Sequence, residues 1–362
     1  MLLLGVITTT ARAQDIDDQP DTQAGVGFAE LTPELNASVE RGLAILATYQ
    51  SADGSFGAPR YPKHVGITAL SCLAFMADGH LPGRGRYGPQ VERGLEFILR
   101  SAQETGLIAA DNSHGPMYGH GFATLFLGEV YGMTAGPGAI GIQGGVPGGI
   151  PGGNVSATGG DPRVREALVK AVRLIVNTQN REGGWRYQPV AFDADVSVTI
   201  CQVMGLRSAR NAGLSVPKAT IDRAIAYVRL CQSPEDGGFR YMANAAGSAF
   251  PRSAAGVASL YYAGVYQDAA LEKGLDYLMR SRRNMSDRAV GHYFYGQYYA
   301  VQAMYLAGGK YWADWFPWVR QDIIAQQDPA GNWNDPNGEA YATAMAVLVL
   351  QIPKRMLPIF QR

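Results

Sequence analysis

The sequence predicts an all-α fold, an (α/α)6 toroid in which six helix pairs close into a ring. Three observations predict it: a degenerate repeat of roughly 50 residues, a glutamine–glycine–aromatic turn at a fixed place in that repeat, and second helices that are more apolar and richer in small residues. At 362 residues and 47% hydrophobic, the chain is large enough for an extensive core. A repeat array holds this length in one domain.

The N-terminal residues MLLLGVITTTARA combine a short apolar run with a small-x-small end at Ala11-Arg12-Ala13. Residues 1–13 are therefore expected to be a signal peptide, with 14–37 a linker, 38–352 the toroid and 353–362 a tail. The expected location is secreted or periplasmic, in a bacterium. No other stretch reaches the length of a membrane span. Lysine plus arginine and aspartate plus glutamate number 31 each, which gives no electrostatic case for nucleic acid. Cys72, Cys201 and Cys231 show no Cys-x-x-Cys spacing and read as small buried hydrophobes. Protein partners are left open.

The repeats follow in order. Arg41-Gly42-Leu43, Arg93-Gly94-Leu95, Lys170-Ala171-Val172, Arg223-Ala224-Ile225 and Lys273-Gly274-Leu275 each place a basic, a small and an aliphatic residue at the start of about two turns of amphipathic helix. Gln50, Gln179 and Gln232 stand seven residues after the aliphatic position, and Gln327 marks the last repeat. Each precedes a glycine turn and an aromatic: Phe56, Trp185, Phe239 and Trp333. Glycine ends the outer helix by taking a left-handed conformation, and the aromatic is expected to plug the seam between repeats. Repeats two and five lack this element. The second helices, such as Thr68–Leu73 and Thr343–Leu348, are apolar and rich in small residues, as an inner ring requires. Residues 136–160, dense in glycine with three prolines, read as a loop between repeats two and three.

Aligned on their apolar pattern, the inner helices place His64, His120, Asp195, Arg252, His292 and Glu339 at one N-terminal position. Thr68, Thr124, Thr199, Gly256, Gly296 and Thr343 follow one turn deeper. Aspartate and glutamate suit a helix N-terminus, whereas histidine and arginine do not. The six are expected to rim a central cavity, either as a functional mouth or as a structural polar network. Tyr118, Tyr295 and Tyr341 lie nearby; their hydroxyls suit a wet cavity that stacks on a sugar or a flat or cationic ligand.

The Gln-x-x-x-Gly-x-aromatic turns and paired helices resemble the prenyltransferase and squalene-oxidase repeats of the terpenoid cyclase and protein prenyltransferase superfamily, from about residue 38 to 352. The resemblance implies two chemistries. Class II terpene cyclases, squalene–hopene cyclase among them, protonate a double bond with the central aspartate of an Asp-x-Asp-Asp motif. Asp193-Ala194-Asp195-Val196 places Asp195 on that proton donor and Asp193 on the first aspartate, while Val196 replaces the last. The cyclases also use a second helical domain, which this chain lacks. Protein prenyltransferase β subunits bind zinc through aspartate, cysteine and histidine. His292 resembles that histidine, but Phe250-Pro251-Arg252-Ser253 supplies neither other ligand, so no metal is expected. The Gly-Cys-Gly-Glu-Gln stretch of thioester toroids does not occur.

The sequence reading is a cyclase-like toroid that binds or transforms an isoprenoid or other apolar, lipid-like small molecule, without a cofactor. Asp195 is its general acid, with Asp193, His120 and His292 as further catalytic candidates. His64, Arg252, Glu339, Tyr295, Tyr118 and Tyr341 are the ligand-binding candidates. A non-catalytic binding or scaffold toroid is the alternative. A carbohydrate-active (α/α)6 enzyme is the second, using histidine, tyrosine and arginine as a lyase or Asp195 with Glu339 as a glycosidase pair.

Overall fold

A computed structural model describes residues 30–110, 115–134, 160–282 and 291–361. The expected signal peptide and nearly all of the glycine-rich insertion lie outside the described residues. Among the described residues, twelve α-helices alternate between two layers. The outer ones are α1 (Pro33–Thr48), α3 (Gly88–Arg100), α5 (Pro162–Asn177), α7 (Lys218–Leu230), α9 (Ala269–Ser281) and α11 (Gly309–Ala325). The inner ones are α2 (Val65–Ala77), α4 (Met117–Thr134), α6 (Val196–Asn211), α8 (Phe250–Tyr262), α10 (Tyr293–Ala307) and α12 (Glu339–Gln351). Each inner helix packs on the next, and α12 packs on α2, so the ring is closed. The fold is the all-helical toroid that the repeats predict.

Burial separates the layers as composition requires. Every residue of α2 is buried. In contrast, α3 buries one stripe containing Val91, Leu95 and Ile98 and leaves the rest to solvent. The basic–small–aliphatic triplets do not open the outer helices. They sit in mid-helix, Arg41 about two turns into α1, where the outer helix crosses the inner ring. A Cβ at Gly94 would come within 2.3 Å of Cys72 Sγ, and one at Gly42 within 2.7 Å of Val347 and 2.9 Å of Trp333. Helix α1 begins at Pro33, with the Thr32 hydroxyl accepting from the Leu35 N–H, so it extends into the segment read as a linker.

The glutamine turns are the joints between repeats. Gln50 Nε2 donates to the Gly54 carbonyl of its own turn at 3.0 Å and to Gln90 O in the next outer helix at 2.8 Å. Gln179 joins Gly183 to Thr220 in the same way, and Gln232 joins Gly237 to Ala270. Gln327 joins Gly331 to Ser38, bonding the last repeat to the first. The triplet's basic residue completes the device: Arg41 Nη2 donates to Gln327 Oε1 at 2.5 Å and Arg93 Nη2 to Gln50 Oε1 at 2.6 Å. The turn glycines require a left-handed φ, +106° at Gly183 and +103° at Gly331. The aromatics fill the seams: Trp185 and Trp333 are at most 1% exposed, and their indole N–H groups donate to Ile175 O and Ile323 O. Repeat two keeps the turn, against the sequence expectation, with Gly106 at φ +92° and Ile108 as its plug. Apolar shape at that position is enough, and aromaticity is not required.

The tail beyond α12 is part of the fold. Leu357, Ile359 and Phe360 are buried, and the segment crosses the C-terminal ends of α2, α4 and α6. Lys354 pairs with Asp78 at the end of α2. The Ile359 N–H donates to Glu129 Oε2 in α4 at 3.0 Å, and Ser208 in α6 donates to Glu129 Oε1 at 2.6 Å. Burial pushes the Glu129 carboxyl up to about 7, against both hydrogen bonds.

Two stability measurements follow. Gln327→Ala removes the bonds that close the ring and should cost about 2–4 kcal/mol in chemical denaturation; a loss below about 0.5 kcal/mol would mean that apolar packing alone closes the seam. A folded-state pKa above the unfolded value means that Glu129 stabilises the protein fully below about pH 4.5 and loses that contribution as pH rises through about 7. Glu129→Gln should therefore gain in Tm over the native chain at alkaline but not acid pH; a pH-independent difference would contradict this.

Candidate functional site

Backbone hydrogen bonds fix the register of the inner helices. In four repeats the plug's N–H donates to a hydroxyl in the following inner helix: Phe56 to Thr68, Trp185 to Thr199, Phe239 to Ser253 and Trp333 to Thr343, at 2.8–3.1 Å. His64, Asp195 and Glu339 stand one turn before that hydroxyl, and His292 is the capping residue of α10. Two positions of the sequence alignment shift. His120 takes the hydroxyl's own place, its Nδ1 accepting from the Ile108 N–H at 3.1 Å. Ser253, not Gly256, is the hydroxyl of repeat four, so Ala249 takes the capping position and Arg252 lies inside α8. Apolar periodicity alone cannot see either offset, because each leaves the buried stripe nearly unchanged.

The N-terminal ends of the inner helices surround a cavity of about 840 Å³. His64, Arg252, His292, Tyr118, Tyr295 and Tyr341 line it. Asp195, Asp193, His120 and Glu339 do not. His120 is fully buried, and burial lowers it to about 4, with the Ala171 carbonyl opposing that shift; it is a neutral structural acceptor. Glu339 is exposed on the outside of the rim and accepts the Tyr49 hydroxyl at 2.9 Å. Asp193 pairs with Arg186. His64 caps α2, its Nδ1 accepting from Gly66 and Ile67. His292 adopts φ +62°, a left-handed conformation uncommon outside glycine. Arg252 donates to Phe239 O and Gly247 O, both at 3.2 Å, and forms no ion pair among the described residues. Burial holds the Tyr118, Tyr295 and Tyr341 hydroxyls above their usual range, so they are neutral hydrogen-bonding groups.

The sequence reading misses Tyr187 and Tyr241, which also line the cavity. The signal for them is present: Trp185-Arg186-Tyr187 and Phe239-Arg240-Tyr241 repeat plug, arginine, tyrosine in consecutive repeats. The chain after each plug passes the preceding inner helix. The Met117 N–H at the start of α4 donates to Tyr187 O, and the Val196 N–H at the start of α6 to Tyr241 O. This places Tyr241 beside Asp195.

Asp195 has no exposed surface. Its Oδ1 caps α6 by accepting from the Val198 N–H at 2.8 Å. Its Oδ2 accepts the Tyr241 hydroxyl at 3.2 Å and lies 3.7 Å from Arg186 Nε. The Tyr241 hydroxyl is also hydrogen-bonded to that of Tyr187. Burial raises the Asp195 carboxyl to about 6, outweighing the Val198 N–H, Tyr241 and Arg186, all of which favour the ionised form. Among the described residues, those lining the cavity include no aspartate or glutamate, and no cluster of three metal-ligating side chains occurs. No described helix is long and apolar enough to cross a membrane.

No protein-family profile and no curated protein matches the sequence. Solved structures share its fold. The α-1,6-mannanase of Salegentibacter sp. HEL1_6 aligns over 89% of this chain and 99% of its own, with TM-score 0.61 and 10% identity; an inactive variant with two aspartates replaced by asparagine holds α-1,6-mannotriose. The type II terpene cyclase MstE from Scytonema aligns over 90% and 99%, with TM-score 0.56 and 15% identity. An aspartate-to-asparagine variant of it holds geranylgeranyl dihydroxybenzoate. A protein from Actinoplanes aligns over 89% and 99%, with TM-score 0.57 and 14% identity. At these identities the likeness is one of fold.

The burial of Asp195 has a measurable sign. With its folded pKa raised from 3.8 to about 6, its stabilising contribution is complete below about pH 4 and is lost as pH rises through 6. Asp195→Asn keeps the cap and has no charge to bury. Its stability relative to the native chain should rise by about 2–3 kcal/mol between acid and neutral pH. A difference that is flat with pH in denaturant titrations would place Asp195 in a solvated site.

Proposed function

We propose that the protein binds an isoprenoid-like or similarly extended apolar ligand in the cavity and acts on it by proton transfer, with Asp195 as the acid. One observation carries this reading: a wall rich in tyrosine and phenylalanine and, among the described residues, without carboxylates, with a single buried carboxyl one hydroxyl behind it. Aromatic faces supply apolar area and a negative quadrupole that stabilises developing positive charge. A carboxyl held near 6 keeps its proton into mildly acid solution and can give it up in a site shielded from water. With Val196 in place of a further aspartate, the acid is not tuned toward great strength. That favours a substrate more basic than an isolated alkene: a polarised double bond, an epoxide or a carbonyl.

The tyrosine hydroxyls, His64, His292 and Arg252 on the same wall favour a carbohydrate as the second reading. Glycoside hydrolysis needs two carboxyl groups flanking the bond, and the described residues of this cavity present none. The two adjacent aspartates of this sequence, Asp17-Asp18, lie outside the described residues. A sugar would therefore be bound or cleaved by elimination. Export directed by residues 1–13 belongs to the same proposal.

The decisive experiment isolates the protein from its native host and identifies the bound small molecule and the chain's N-terminus by mass spectrometry. The recombinant chain is titrated in parallel with geranylgeranyl dihydroxybenzoate and α-1,6-mannotriose. An isoprenoid in the first and binding of the prenylated ligand alone in the second are expected, with a chain beginning at Gln14. Mannotriose binding alone would replace this reading with the carbohydrate one, and a chain that binds neither and carries nothing would be a scaffold.

A further inference from the structure

Asp195 cannot meet a ligand directly. Both of its oxygens are engaged and neither is exposed: Oδ1 by the Val198 N–H, Oδ2 by the Tyr241 hydroxyl. Tyr241 and Tyr187 do line the cavity, and their hydroxyls share a hydrogen bond. Resting on the reading of the cavity given above, we propose that the Asp195–Tyr241–Tyr187 hydroxyl chain is a reversible relay through which the protonation state of Asp195 sets whether the cavity is offered a proton donor or an acceptor.

A hydroxyl both donates and accepts one hydrogen bond in such a chain, so the chain has two satisfied directions. With Asp195 ionised, Tyr241 donates to Oδ2 and Tyr187 donates to Tyr241, leaving the Tyr187 oxygen to face the cavity as an acceptor. With Asp195 protonated, the carboxyl O–H donates to Tyr241, Tyr241 donates to Tyr187, and Tyr187 presents its O–H to the ligand. Proton delivery then balances in one pass. Tyr187 gives its proton to a basic atom of the ligand and takes that of Tyr241, which takes that of Asp195. The products are a protonated ligand, a carboxylate and two neutral tyrosines.

The groups around Asp195 support a chain that reverses without ionising either tyrosine. Arg186 and its partner Asp193 lie on the loop ahead of α6. Tyr118 faces it from α4, Tyr295 from α10, Cys201 from within α6 and Tyr227 from α7, all with their own ionisation pushed up by burial. Tyr241 is likewise held above the usual tyrosine range, and its anion is not a resting state. Arg186 is the cation beside Oδ2, and burial outweighs it, so the carboxyl titrates at about 6.

The test compares two isoprenoid probes of matched size: geranylacetone, whose ketone only accepts hydrogen bonds, and the corresponding hydrocarbon. Affinities are measured from about pH 5 to about pH 8 by calorimetry. The ratio favouring the ketone should be about three- to tenfold larger at the acid end, with its midpoint near the Asp195 titration. Asp195→Asn, whose Nδ2 donates permanently to Tyr241, should hold the ratio at its acid value across the range. Tyr241→Phe, which breaks the chain and leaves the Tyr187 hydroxyl free to donate at any pH, should make the ratio flat. A native ratio that does not change with pH, or a change that survives in Tyr241→Phe, overturns the relay.

Failure of both probes to bind would overturn the reading of the cavity, and the relay is then decided without ligand. In infrared difference spectra across the Asp195 titration, the carboxyl band should be accompanied by tyrosine C–O bands that Asp195→Asn abolishes. A carboxyl band without them overturns the relay.

Discussion

One hydrogen-bonded group holds the architecture together: the primary amide of a glutamine placed just beyond four of the six outer helices. Its two N–H bonds reach two backbone carbonyls in different repeats, and at Gln50 and Gln327 its oxygen also takes a guanidinium from the neighbouring repeat. A single helix pair cannot bury its apolar face alone, so each unit needs a neighbour held in a defined rotation. The amide supplies that rotation, because its donors diverge at a fixed angle and both acceptors are main chain. Gln327 repeats the device across the ends of the sequence, and an array that could continue as an open solenoid becomes a ring.

That geometry decides what the site contains. Because four plugs tether the following inner helix through a hydroxyl one turn down, and Ile108 does so through the His120 imidazole, the inner N-termini come to one end. In repeat one the residue one turn before the hydroxyl, His64, caps its helix. At Asp195 the same position does two things: one oxygen satisfies the orphan N–H groups of α6 and the other meets the tyrosine chain. The depth at which the ring sets this capping carboxyl pushes it up to about 6, so it takes its proton in mildly acid solution.

The fold was legible in the sequence because its joints are chemical. Glutamine, glycine and the plug recur with little freedom, and glycine is required at a left-handed φ. The site was less legible. His120 and Arg252 look equivalent to His64 on apolar spacing, yet a shift of one turn or less carries them to a buried joint and to the inside of α8 respectively. Only the hydrogen bonds from Ile108 and Phe239 reveal this. Tyr187 and Tyr241 belong to segments between helices, where period carries no information, although the plug-arginine-tyrosine pattern names them. Glu339 shows the limit of aligned position, since its side chain turns outward to Tyr49.

The tail that crosses the far ends of α2, α4 and α6 gives the ring a floor on that side, pinned by the Ile359 N–H on Glu129 and by Lys354 on Asp78. A ring lined from end to end would be a tunnel, through which a polymer could be threaded and cut anywhere along its length. A ring with a floor is a cul-de-sac. Whatever the cavity of such a ring takes up would enter and leave past one rim, where His292 and Arg252 stand, and a long molecule would present its terminus ahead of its middle.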